Sequence, residues 1–161
     1  MRKNSAITLG VVFTVLFTSA VAYGVNMMSQ NSKPLTPSEY KIGVTYDDAM
    51  TGDKPVVALF YVDWCGFCQR FMPKYRTLSK IYENKFNFLM INAEDEARKS
   101  LVEDVRLTGY PTVYIIDPKY NNRFLLNNAI YMDMAKFRVE LERYLKIREN
   151  LDEGEQCASS K

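Results

Sequence analysis

Cys65 and Cys68 stand three residues apart in Trp64-Cys65-Gly66-Phe67-Cys68, where a continuous apolar run gives way to a helical pattern. A thiolate at a helix N-terminus faces backbone N–H groups without intrahelical partners and the positive end of the helix dipole, which favours the charged form. Cys65 is therefore the expected nucleophile. Cys68, one turn further on the same face, is placed to attack a mixed disulfide formed at Cys65. The pair thus supplies an attacking and a resolving sulfur and can close as a redox-active disulfide. Spacing alone leaves other uses open. A zinc site needs about four ligands, and the chain has no His and one further cysteine, Cys157. A purely structural bridge over so short a loop stabilises by about 2 kcal/mol, against about 4.7 kcal/mol for a loop of about 100 residues. A pair that never turns over is the remaining alternative.

The elements that must position these sulfurs are legible from apolar periodicity. Val56 to Val62 is uninterruptedly apolar, which suits a central strand buried on both faces. From Trp64 to about Glu83 the pattern is helical, with Phe71, Tyr75, Leu78 and Tyr82 drawing one stripe and Pro73 inside the helix. A short helix is expected over Thr45–Thr51, strands over Phe86–Ile91, Thr112–Ile116 and Arg123–Leu126, and a helix over Glu94–Val105 aligning Ala97, Leu101 and Val105. The last helix runs from about Met132 to Arg148, with Met134, Phe137, Leu141, Tyr144 and Leu145 inward. Helix-separated strands followed by a hairpin imply an α/β domain, a central mixed β-sheet with helices on both faces.

At 161 residues the chain is expected to hold one folded domain, residues 40–150, with a linker at 29–39 and a disordered tail at 151–161. Arg2 and Lys3 account for the whole net charge of +2, so the rest of the chain is neutral and gives no electrostatic case for nucleic acid. They precede an uncharged run, Ala6 to Ala22, that closes on Ala20-Val21-Ala22. Residues 1–28 therefore read as a signal peptide or an N-terminal membrane anchor, with the domain outside the cytoplasm. Membrane contact would run through that segment if it is not cleaved.

From about Thr45 to Leu145 the sequence resembles the thioredoxin superfamily. Leu59-Phe60-Tyr61-Val62-Asp63-Trp64-Cys65-Gly66-Phe67-Cys68 is similar to the family's active-site strand and loop, and Pro73 to the proline that bends the active-site helix. Gly109-Tyr110-Pro111-Thr112 is similar to its cis-proline loop. The resemblance implies a thioredoxin fold, a cis Pro111, and a loop whose backbone pairs with substrate as a short added strand. Trp64, Gly66, Phe67, Tyr110 and Pro111 become the candidate substrate-binding residues. Phe60-Tyr61 and the Gly-Tyr-Pro-Thr loop lean towards protein disulfide isomerase domains, whereas the C-terminus carries no lumenal retention signal. A single domain behind an export segment points to the periplasm or envelope of a bacterium.

The departures from the family pattern are specific. Leu59 occupies the position where many relatives carry a buried acid that takes the second thiol's proton, leaving Asp63, expected to be exposed beside the site, or water to stand in. Gly66-Phe67 has neither the Pro of reducing thioredoxins nor the His of strong oxidants. An intermediate potential is expected, between about −270 and −120 mV. Asn128-Ala129-Ile130-Tyr131 lies where the family has a Gly before the last helix. Arg70 and Lys74 read as a solvated face that could support the Cys65 thiolate, and Cys157 as an incidental tail thiol or an intermolecular bridge. The expected function is thiol–disulfide exchange with protein thiols and disulfides, needing no cofactor or metal. It requires a partner that resets the pair, such as a membrane electron carrier. The rival is a non-catalytic thioredoxin-fold chaperone or assembly factor that holds extended peptides on its aromatic rim; a metal-delivery role suffers from the missing His.

Overall fold

The computed structural model describes residues 34–105 and 107–159, and the fold is that of the unit Leu35–Lys161. The expected export segment at 1–28 and the first part of the expected linker lie outside the described residues. Among the described residues no helix is long and apolar enough to cross a membrane.

Strand β1 (Val56–Tyr61) is buried at all six positions, as its unbroken apolar run predicts. It lies at the centre of a four-stranded sheet ordered β2–β1–β3–β4. β2 (Asn87–Asn92) runs parallel to it, with Leu59 opposite Met90. β3 (Thr112–Asp117) runs antiparallel to β1 and pairs through a hairpin with β4 (Asn122–Leu125). Alternate residues of β1 feed two cores, because successive side chains of a strand point to opposite faces. Val57, Leu59 and Tyr61 join Phe71, Tyr75 and Leu78 of helix α2 (Gly66–Ile81) and Phe137 and Leu141 of the C-terminal helix. Val56, Ala58 and Phe60 join Ala49 of helix α1 (Tyr46–Thr51) and Val105 of helix α3 (Lys99–Val105). Helices cover both faces of a mixed sheet, as expected.

Four boundaries differ from the sequence-based expectation, each for a local reason. The folded unit begins at Leu35 rather than near Tyr40: Pro37–Glu39 form a 3-10 turn opened by Pro37 and a Thr36/Glu39 capping box, and the Ser38 N–H donates to Asp63 Oδ1 at 2.8 Å. The expected helix over Glu94–Val105 breaks into a 3-10 turn, Glu96–Arg98, capped by Asp95, and α3, which leaves Ala97 exposed. A short helix, α4 (Asn128–Tyr131), precedes the last one because Asn127 caps it, accepting from the Ala129 N–H at 2.8 Å. The last helix, α5 (Met134–Ser159), continues through the residues expected as a disordered tail. Asp152 accounts for the extension, bonding Lys119 and Tyr120 of the β3–β4 turn.

Candidate active site

Strand β1 delivers the chain to the site and α2 receives it. Cys65 is the N-cap of α2, and its sulfur accepts the backbone N–H of Cys68 at 3.1 Å. A sulfur here takes the place a Ser or Asp oxygen takes at an ordinary N-cap, so the Cys68 N–H of the helix's first turn points at the nucleophile. The Cys65 thiol in turn donates to the Tyr110 carbonyl at 3.5 Å. Cys68 is fully buried, and burial, followed by the hydrogen bond with Cys65, pushes its thiol up to about 12. Leu59, which stands in the place of the acid seen in relatives, is itself fully buried in the apolar core. Both cysteines are thiols in this structure.

The peptide bond between Tyr110 and Pro111 is cis. This turn brings the Tyr110 carbonyl against Cys65 and the Tyr110 ring edge-on to Trp64, with centroids 6.3 Å apart. Trp64 and Phe67 are 70% and 61% exposed, an aromatic rim on either side of the nucleophile. Trp64 is held in place by its indole N–H, which donates to Glu94 Oε1 at 2.8 Å. Phe67, Tyr110 and Pro111 line a groove of about 630 Å³ together with Leu126, Asn127 and Tyr131. Trp64 and Gly66 lie outside that lining, Gly66 on the exposed first turn of α2 with room for a side chain.

Three polar residues make contacts beyond those expected. Asp63 is half-buried rather than exposed, and its carboxylate is taken by Ser38. Arg70 lays its guanidinium over the Phe67 ring, 4.7 Å from the centroid, and Lys74 donates to the Met132 carbonyl at 2.7 Å. Arg70 is exposed, as a solvated face requires, while supporting the rim, and the half-buried Lys74 supports α4. Sequence reasoning missed Tyr131. Its ring packs on Phe71 at 5.5 Å and its hydroxyl donates to the Pro111 carbonyl at 2.6 Å. Burial, and then the charges of Cys68 and Cys65, push its phenol up. The capping residue Asn127 signals the short helix α4 but not the contact that its Tyr131 makes. Among the described residues no cluster of His, Cys, Asp or Glu is arranged to hold a metal ion.

Comparison with known proteins agrees with this geometry. The family model described as Thioredoxin matches residues 35–128, more than half of the chain. The chloroplastic thioredoxin-like protein HCF164 of Arabidopsis thaliana is 25% identical over 74% of this chain and 42% of its own length. Thioredoxin of Borreliella burgdorferi is 32% identical over 48% of this chain and 68% of its own. Protein disulfide-isomerase A4 of Bos taurus is 29% identical over 63% of this chain, which spans only 16% of that protein. Among solved structures, the thioredoxin of Malassezia sympodialis superposes with a TM-score of 0.52 at 19% identity, covering 72% of this chain and 97% of that one. The Trx4 domain of ERdj5 does so with 0.52 at 20%, covering 70% and 94%, and both likenesses speak to the fold. A strand-to-helix cysteine pair facing a cis-proline loop, on a sheet that solved thioredoxins share and within a matching family model, places the chain in the thioredoxin family.

Proposed function

We propose that this protein is a thiol–disulfide oxidoreductase that exchanges disulfides with extended segments of other proteins. One observation carries the reading: the Cys65 sulfur sits at the N-cap of α2, 3.1 Å from the Cys68 N–H and 3.5 Å from the Tyr110 carbonyl of the cis-proline loop. Stated as reduction, the Cys65 thiolate attacks one sulfur of a substrate disulfide. A Cys65–substrate disulfide forms, and the substrate's other sulfur leaves as a thiolate that takes up a proton. Cys68 then gives up its proton, to the departing thiolate or to water, and its sulfur attacks Cys65. The second substrate thiolate leaves and a Cys65–Cys68 disulfide remains, the substrate having gained the two electrons that the pair lost. Run backwards, the same steps oxidise a substrate dithiol.

The incoming strand would pair with the Tyr110 backbone, with Trp64 and Phe67 flanking it. The export reading of residues 1–28 places the activity outside the cytoplasm, in a bacterial envelope. One relative is named for the chloroplast, which supports a compartment other than the cytoplasm and does not single out a bacterial envelope. A partner, a membrane electron carrier or another thiol protein, must reset the pair after each turnover. Changing Cys68→Ser removes the resolving sulfur, so mixed disulfides through Cys65 should accumulate and be released by dithiothreitol. Absence of any trapped species from cells expressing the full chain would favour the rival, a peptide-holding module that uses the exposed aromatic rim.

A further inference from the structure

The cis-proline loop is held at two successive carbonyls. Tyr110 O accepts the Cys65 thiol at 3.5 Å, and Pro111 O accepts the Tyr131 hydroxyl at 2.6 Å. The first of these contacts cannot survive the reaction. Once Cys65 is a thiolate it has no proton to donate, and a negative sulfur opposite a carbonyl oxygen is repelled. Of the two carbonyl contacts, the one that remains through the chemical step is that of Tyr131.

Tyr131 is built to keep it. The residue is 5% exposed, and its ring is wedged edge-on against Phe71 of the same helix that carries the cysteines. Helix α4, which bears it, is capped by Asn127 at one end and tied to α2 at the other, where Lys74 donates to Met132 O at 2.7 Å. A continuous chain of contacts therefore runs from α2 through Phe71 and Lys74 to α4, and from α4 to the Pro111 carbonyl. It fixes the loop relative to the nucleophile independently of the thiol's own hydrogen bond.

We propose that Tyr131 is a positioning residue for exchange with peptide substrates, its hydroxyl holding the Tyr110-Pro111 loop in register with Cys65 after the thiol–carbonyl bond is lost. The role rests on the oxidoreductase reading above. It concerns only substrates that use the loop as a strand partner: a small disulfide reaches the sulfur without pairing to Tyr110. The two substrate classes should therefore respond differently.

The test compares wild type with Tyr131→Phe on a cystine-containing extended peptide and on hydroxyethyl disulfide, with dithiothreitol as reductant. The substitution is expected to raise KM for the peptide about tenfold, with kcat within about twofold, and to leave turnover of hydroxyethyl disulfide within about twofold. An unchanged peptide KM, or an equal loss on both substrates, overturns the proposal. A wild type inactive on both would overturn the oxidoreductase reading itself and this role with it, whereas wild-type activity with an unresponsive Tyr131→Phe sinks only the role. Should Tyr131→Phe fail to fold, Lys74→Met, which releases α4 from the half-exposed side, should raise the peptide KM in the same direction; no rise there overturns the proposal as well.

Discussion

Cys65 and Cys68 differ by one helical turn, and that turn separates a nucleophile at the edge of the core, 7% exposed, from a sulfur sealed inside it. The burial that keeps Cys68 protonated also makes its titration a measure of folding. Its ordinary value of 9.0 applies once the chain unfolds, while the folded thiol is held up to about 12. Below pH 9 both states keep the proton and the stability of the dithiol form is intact. Between the two values the unfolded chain loses its proton first, so stability falls as pH rises. Buried tyrosines such as Tyr75, also pushed up by burial, add to the same trend. Comparing urea midpoints of wild type and Cys68→Ser between pH 8 and 10.5 removes that shared background. The dithiol protein should lose stability faster than the variant. Parallel curves would show that burial is not what governs Cys68.

At the scale of elements, the site depends on β1 keeping its register, and β2 holds one flank of it. The chain entering α1 turns at Gly43, with φ of +80°, so that the Val44 N–H reaches the Phe88 carbonyl of β2 at 2.9 Å. A Cβ there would stand 1.8 Å from Phe88 O, a backbone atom that cannot swing aside. Left-handed backbone alone costs a side chain about 1–2 kcal/mol. With the clash added, Gly43→Ala should destabilise by about 2–4 kcal/mol in denaturant titration. A loss under half a kilocalorie (about 0.5 kcal/mol, the scale of neutral surface changes) would mean the segment simply moves off β2. Gly43 shows why legibility in the sequence was uneven. Strand β1, the stripe of α2 and the cis-proline loop could be read because their signals are local: an apolar run, a helical period, a Gly-Tyr-Pro-Thr motif. Gly43, Tyr131 and the fate of Asp63 could not, because each is decided by a carbonyl, a ring or an N–H contributed from elsewhere in the chain. Helix α5 was underestimated for the same reason. Its last turns are polar and lack a periodic apolar face, and what keeps them helical is bonding to the β3–β4 turn.

Across the whole molecule, chemistry and anchoring occupy opposite ends of the sheet. β3 begins beside Pro111 at the sulfur pair and ends at Asp117, about 17 Å away at the usual strand rise. Asp117 is fully buried there, and α5 answers it with Arg148 Nε at 2.8 Å and the Tyr144 hydroxyl at 3.3 Å. The same guanidinium reaches the Asp53 carbonyl, just before β1, so one side chain ties the last helix to both central strands. Replacing Arg148 by Met keeps most of the volume but strands a carboxylate in the core, which should cost about 3–5 kcal/mol. Asp117→Asn made together with Arg148→Met removes the stranded charge and should recover part of that loss, the signature of a desolvated ion pair rather than of lost packing. Where the variants remain folded, exchange with hydroxyethyl disulfide should stay within about twofold of wild type, because among the described residues no contact of Arg148 reaches the Cys65 end of the strands. A variant that kept its stability would show that water solvates Asp117, and one that lost exchange while folded would show that the two ends of the sheet are coupled.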